Sequence, residues 1–288
     1  MGFRTVVVNT HAKLSYRNNH LVFTSAEKTE VIHLSEIDAL IVQTTDVSIT
    51  SMLIKRLIDE KIVVLLCDEK ALPHCMITDL YGRFDNTLQL KRQIAWDDDR
   101  KAVLGKAIIA EKIRNQADLL IKSEFREKGK RLIDMIGELE EGDPSNVEAH
   151  AARTYFNTLF GNQFTRSDDT DINAGLNYGY SLLLATFARE IVLNGCLTQL
   201  GIIHGNQFNQ YNLASDFMEP FRPAVDEIVY TNREDNFRQL KRKLLEIFNR
   251  TWFYKRQYMY LTNIVSDYTR CLIKILNGEN GEFPHFNL

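Results

Sequence analysis

At 288 residues, 44% hydrophobic and 25% charged, the chain has the composition of a soluble globular protein long enough for two folded units. No apolar run approaches the roughly 20 residues of a membrane helix, so no membrane role is expected; the longest run, IVVLLC at 62–67, has the length of a buried strand. The net charge of −3 hides an acidic block between two basic ones: 13 Lys/Arg against 8 Asp/Glu in 83–131, 3 against 12 in 132–221, and 9 against 5 in 222–256. Carboxylates can collect a divalent cation and basic strips can hold a polyanion around it, although solvated helix faces would give the same counts.

The start, Met1-Gly2-Phe3-Arg4, leads into a strand pattern at 3–8 and is not expected to be a signal peptide; Val6 argues against myristoylation. Segments 13–17 and 20–24 alternate around Asn18-Asn19, a hairpin turn in which Asn tolerates positive φ. Short strands at 30–34 and 40–43 follow, then helical spacing over 48–60 (Ile49, Leu53, Leu57, Ile58), the strand 62–67, a break at Pro73 and a last strand at 76–80. The expectation is a small sandwich-like unit over 1–82 without a catalytic constellation. Cys67, Cys75, Cys196 and Cys271 lack metal-ligand spacing and read as reduced cysteines of a cytosolic protein.

From about residue 87 the apolar period becomes 3.6. Helices are expected at 88–96, 98–123, 125–139, 147–160, 176–193, 225–229, 233–248 and 254–276, with 176–193 apolar nearly all round and therefore central. The tail GENGEFPHFNL is expected to be loose. The fold class is then α+β: a β-rich N-terminal domain (1–82) followed by a larger all-α domain (83–288).

The stretch GIIHGNQFNQYNLASDFMEPFRP at 201–223 is the densest in chemistry. Asp216 and Glu219 share a face if helical, Ser215 can cap, and Pro220 and Pro223 require a helix start with a local kink. His204 precedes them, with Gly205 allowing a bend. An imidazole with carboxylates and no nearby cysteine is a donor set for Mg²⁺ or Mn²⁺, not for a closed zinc site. Glu148 is the candidate third ligand. It could equally close a capping box with Ser145, unless Asp143 caps the helix and leaves it free.

In order along the chain stand Glu148-Ala-x-Ala-Ala-Arg153-x-Tyr155-Phe156, Asn173-Ala-x-Leu-Asn-Tyr-Gly-Tyr180, His204-Gly and Asp216-x-x-Glu219-x-Phe-Arg222-Pro. This succession resembles the CRISPR adaptation integrase family, which inserts new spacers, and within it the members from type II systems. The resemblance implies a metal-dependent DNA endonuclease and integrase whose Mg²⁺ or Mn²⁺ ligands and catalytic residues are Glu148, His204 and Glu219, with Asp216 in support. Many members carry Asp where this chain has Glu219, one methylene longer. It further implies an N-terminal homodimer, a heterohexamer with a small ferredoxin-like partner, double-stranded DNA substrates (protospacer and CRISPR repeat) and, in type II systems, further CRISPR proteins.

The basic strips then supply DNA contacts: Arg83, Lys91 and Arg92 before the helices, and Arg222, Arg238, Lys241, Arg242, Lys255 and Arg256 after the acidic block. Trp252, with Phe253 and Tyr254, could stack on a terminal base. Asn173–Tyr180 reads as helix packing. Two other readings stay open: a non-catalytic DNA-binding scaffold, and a helical phosphohydrolase of small molecules, which the basic strips disfavour.

Overall fold

The computed structural model describes residues 4–288. Its first part holds β1 (Arg4–Val8), β2 (Ala12–Arg17), β3 (His20–Thr24), β4 (Thr29–His33), β5 (Ile37–Val42), β6 (Val47–Ile49), α1 (Ser51–Asp59), β7 (Val63–Cys67) and β8 (Pro73–Ile77). The strand expected at 3–8 is present from Arg4; Phe3, like Met1 and Gly2, lies outside the described residues. The strands form two four-stranded sheets, ordered β1-β5-β7-β8 and β4-β3-β2-β6. Asn18 and Asn19 turn the β2–β3 hairpin with φ of +47° and +62°, the left-handed pair such a turn requires. Residues 47–49 are drawn into β6 against Ala12–Leu14, so α1 begins only after Thr50, whose hydroxyl accepts the Leu53 N–H. Pro73 starts the edge strand β8 and does not break it, because an edge position needs no ladder donor there.

Every residue of β5 is buried. Its alternation explains why: Leu40 and Val42 face a core with Leu14, Leu21, Leu53 and Leu57, whereas Ala39 and Ile41 join a core with Leu183 and Phe187 of the helical part. The sheet therefore packs on both faces, and its outer face is the bed of the central helix.

The second part comprises α2 (Asn86–Ile94), α3 (Asp98–Lys122), α4 (Arg126–Ile136), α5 (Val147–Phe160), α6 (Asp171–Leu193), α7 (Asn212–Phe217), a 3-10 turn (Glu219–Phe221), α8 (Arg222–Thr231), α9 (Phe237–Leu245), β9 (Thr251–Tyr254), β10 (Gln257–Tyr260) and α10 (Leu261–Leu276). The α+β class stands, with strands first and helices after. Among the described residues no helix is long and apolar enough to cross a membrane. Gly82 lies against the end of α6, where an added Cβ would meet the Val192 carbonyl oxygen at 1.8 Å, so the connection requires glycine.

In the second part three expectations are corrected. Residues 254–260 are not helical, and the second part is not all-α: TWFY and QYMY pair as a hairpin, Lys255 and Arg256 taking φ of +46° and +68°. Ser215 lies inside α7 and caps nothing; the two prolines stand at the starts of the 3-10 turn and of α8, which places the kink at 219–221. The tail is not loose. Phe286 is fully buried and stacks on Phe221 at 4.0 Å between ring centroids. The Glu111 carboxylate accepts the Phe286 N–H at 2.8 Å, and Asn115 donates to the Phe286 carbonyl at 2.8 Å.

Candidate active site

The N-terminus of α5 decides where Glu148 points. The Asp143 carboxylate accepts the backbone N–H groups of Val147 and Glu148 at 2.8 and 2.9 Å, while Asn146 takes a left-handed φ of +52°. Asn146 holds the N-cap position and Pro144 lies before the helix, but the Asp143 side chain caps the first N–H groups, the Ser145 capping box does not form, and the Glu148 side chain is left free of the cap. It reaches Lys112 of α3, whose ammonium donates to Glu148 Oε1 at 2.6 Å. The same ammonium lies 2.6 Å from Glu219 Oε2, and Arg222 lies 2.9 Å from Glu219 Oε1. Two acids from distant segments therefore converge on one cation.

Asp216 and His204 form a second layer. Asp216, fully buried, accepts three backbone N–H groups: Ile202 at 2.6 Å, Ile203 at 3.0 Å and His204 at 3.0 Å. Its Oδ1 also meets His204 Nδ1 at 2.5 Å. Such a nest fixes the loop and the imidazole together, leaving Nε2 as the free nitrogen. Gly201 makes the wrap feasible: an added Cβ would meet the His204 carbonyl at 2.3 Å and Asp216 Oδ2 at 2.8 Å, whereas Gly205 has open space around it. The glycine that the loop requires is Gly201 and not Gly205. Asp216 supports the site from beneath and has no oxygen to spare as a ligand.

The electrostatics follow from burial and pairing. Burial pushes the Glu219 carboxyl up, but Lys112 and then Arg222 reverse this and hold its pKa below the ordinary value. Burial lowers the Lys112 ammonium, and Glu219 and Glu148 more than restore it. The Asp216 hydrogen bond raises the His204 imidazole, with Glu219 and Glu148 adding to the effect, so all three sites share one field.

The donors that could hold a divalent ion are Glu148, Glu219 and His204 Nε2. They fit one on two observations. Glu219 Oε2 is buried and faces the Lys112 ammonium at 2.6 Å without good hydrogen-bond geometry, so it keeps a lone pair for an ion. The two carboxylates already share a cation. Among the described residues no three His, Cys, Asp or Glu side chains close into a finished metal cluster; Lys112 lies between the Glu148 and Glu219 carboxylates. A polar cleft of about 490 Å³ opens beside His204, lined by Trp96, Lys101, Gln199 and Asn206.

Sequence reasoning missed Lys112. The signal was its place on the buried stripe of α3, four residues after Ile108 and with Asn115 and Leu119 following. Such a charge on a core face needs a partner.

The basic candidates separate by exposure. Arg238 and Arg242, one turn apart on α9, are exposed, as are Lys91 and Arg92 on α2 and Arg256 in the hairpin turn; Arg92 lies 3.7 Å from Glu279. Arg83 is paired with Asp85 and Lys255 with Asp267. Lys241 sits 5.3 Å from the Tyr178 ring centroid, and burial lowers its pKa. Arg222 is committed to Glu219 and to the Tyr180 ring at 4.8 Å. Trp252 is a core residue, 7% exposed, between Arg250 and Phe286; the exposed aromatics of the hairpin are Phe253 and Tyr258.

Behind the site, Asp226 of α8 accepts the Tyr155 and Tyr180 hydroxyls at 2.8 and 2.5 Å. Burial, only partly opposed by these donors, pushes its carboxyl up to about 6 from 3.8. A raised carboxyl means that the folded chain keeps a proton the unfolded chain releases. Its contribution to stability is complete below the unfolded pKa and is lost as pH rises from about 4 to about 6. Asp226→Asn should remove that slope, so wild type loses roughly 3 kcal/mol relative to the variant across this window. Parallel melting profiles from pH 4 to 7 would show that Asp226 is not protonated in the fold.

Residues 5–244 match the family model described as CRISPR associated protein Cas1. A CRISPR-associated endonuclease Cas1 from Neisseria meningitidis serogroup C (strain 8013) is 35% identical over 227 residues, covering 78% of this chain and 74% of that protein. Among solved structures, a casposase bound to integration product superposes with a TM-score of 0.79 at 18% identity, over 99% of this chain and 94% of that one. A chain of a Cas6-RT-Cas1–Cas2 complex gives 0.74 at 18% identity, over 99% of this chain and 36% of that longer one.

Proposed function

Because the chain belongs to the Cas1 family of CRISPR-associated proteins, we propose that it is a divalent-metal-dependent DNA integrase and endonuclease that joins the 3′ ends of short duplexes to a CRISPR repeat. The observation that carries the reading is the convergence of Glu148 and Glu219 on a single cation, with His204 held by Asp216. Attack of a 3′-hydroxyl on a phosphodiester forms one O–P bond and breaks another, so no nucleotide cofactor is required. A Mg²⁺ or Mn²⁺ ion held by Glu148, Glu219 and His204 Nε2 would supply Lewis acidity at the phosphoryl group and lower the pKa of the attacking hydroxyl. The chain's own residues set the geometry. Asp216 fixes the imidazole tautomer and ring plane, Asp143 frees Glu148, and Arg222 orients Glu219 through Oε1. Water in place of the 3′-hydroxyl turns the same site into a nuclease.

We assign 1–82 to a dimerising unit and 83–288 to the catalytic one. Strand β4 is an open sheet edge with Val31 58% exposed, which a second copy would cover. A small ferredoxin-like partner is the expected companion, in keeping with the Cas1–Cas2 complex among the structural neighbours. Exposed Arg238, Arg242, Lys91, Arg92 and Arg256 form the DNA-facing set.

The test is strand transfer by the purified chain, with its partner, of a 3′-hydroxyl duplex into repeat DNA. Joining should require Mg²⁺ or Mn²⁺ and stop on chelation, while DNA binding persists. Binding without joining at any divalent-ion concentration would favour the scaffold reading.

A further inference from the structure

Lys112 has no part in the integrase mechanism above, yet it is the most committed cation of the site. Its ammonium lies 2.6 Å from Glu148 Oε1 and 2.6 Å from Glu219 Oε2, and the three side chains are 11%, 26% and 4% exposed. We infer that Lys112 is a built-in cation which occupies the divalent-ion position of the metal-free chain, so that loading of the metal requires its ammonium to leave. The inference rests on the divalent-ion reading of Glu148, His204 and Glu219.

Geometry sets the conflict. A hard divalent ion takes carboxylate oxygens at roughly 2.0–2.6 Å. An ammonium at hydrogen-bond distance from the same two oxygens occupies nearly the same space and repels the ion. Arg222 is not the group that must move, because it uses the other oxygen of Glu219 and is braced by the Tyr180 ring. Helix α3 is not free to shift either. Its Glu111 and Asn115 are bonded to the backbone at Phe286, and Asn115 also donates to the Pro220 carbonyl. What remains mobile is the lysine stem, which has four rotatable carbons.

The arrangement has a physical reason. Glu219 is nearly inaccessible and faces a second carboxylate across the gap, so two buried anions without a cation would oppose folding. Lys112 neutralises them before any metal arrives. The consequence is a weakened intrinsic affinity for the ion, since each binding event must first break the Lys112 pairs.

The experiment is a Mn²⁺ titration of the metal-stripped full chain, followed by the electron paramagnetic resonance signal of free Mn²⁺. Lys112→Met, which keeps the length and removes the charge, should bind Mn²⁺ about tenfold or more tightly than wild type. Lys112→Arg, whose guanidinium cannot lose its charge and grips carboxylates with two N–H groups, should bind no more tightly than wild type. Should Lys112→Met unfold when stripped of metal, Mn²⁺ must restore its thermal transition and raise it further than it raises wild type. A Lys112→Met variant that binds Mn²⁺ as weakly as wild type, or more weakly, overturns the inference while leaving the metal site intact. Absence of saturable binding in both wild type and Lys112→Met overturns the metal reading and this inference with it. A lysine serving only as packing would not yield tighter binding on removal.

Discussion

Glu148→Gln, Glu219→Gln and His204→Ala are each expected to lower DNA joining by about a hundredfold or more and to leave DNA binding near wild type. Glutamine is the informative replacement at both acids because it keeps their shape while removing the charge and turning one acceptor oxygen into an NH2 donor. At Glu219 the remaining oxygen can still accept from Arg222, and Lys112 keeps Glu148 as its acceptor, so the fold should survive. Asp216→Ala differs in kind. It strips the acceptor from three backbone N–H groups and from His204, so the His204 loop should become protease-sensitive as joining is lost. The reverse pattern is expected for Arg238→Ala with Arg242→Ala: weaker binding to unrelated duplexes and a salt slope flatter by roughly one to two units, since each phosphate contact contributes about 0.9. Near-wild-type joining by any of the three ligand variants in the presence of divalent ion would remove that residue from the site. A salt titration of the double arginine variant that overlays on wild type would place the DNA path elsewhere.

Much of this was legible along the chain, and the reasons differ by element. The β2–β3 hairpin was readable because Asn18-Asn19 is a turn whose backbone needs are visible in the residue type. Helix α5 was readable at about its true span because Asp143-Pro144 and Gly161 flank it. The β9–β10 hairpin was not, because Lys255-Arg256 offers no residue that favours positive φ and its aromatic strands run into the apolar face of α10. At the candidate site, residue type and order singled out Glu148, His204 and Glu219. The roles of Asp216, Gly201 and Lys112 needed three dimensions: each acts through a partner at least 12 residues away or through space that only the fold defines. Trp252 shows the opposite error. An aromatic beside basic residues suggested a stacking platform, but strand alternation turns Trp252 into the core and Phe253 and Tyr258 outward.

Phe286→Ala is expected to destabilise the chain by about 3–5 kcal/mol, the usual cost of removing a fully buried phenyl ring, and to lower the melting point by roughly 10 °C. The tail carrying Phe286 has the composition of a loose end, so a purely compositional reading expects no effect. The structure argues otherwise. Phe286 stacks on Phe221 with an interplanar angle of 13° and adjoins Trp252. Asn115 donates to the carbonyls of both Phe286 and Pro220, at 2.8 Å each. Pro220 and Phe221 directly follow Glu219 in the same 3-10 turn, so the strap that buries Phe286 also holds the turn that aims Glu219. Phe286→Leu should recover most of the stability, because it refills the apolar volume, but not the flat stacking against Phe221. Losing the ring should therefore weaken Mn²⁺ binding as well as stability, in the direction opposite to Lys112→Met. Thermal melts and Mn²⁺ titrations of the two Phe286 variants measure both effects; an alanine variant that melts with wild type would mean that the strap is not anchored by its phenylalanine in solution.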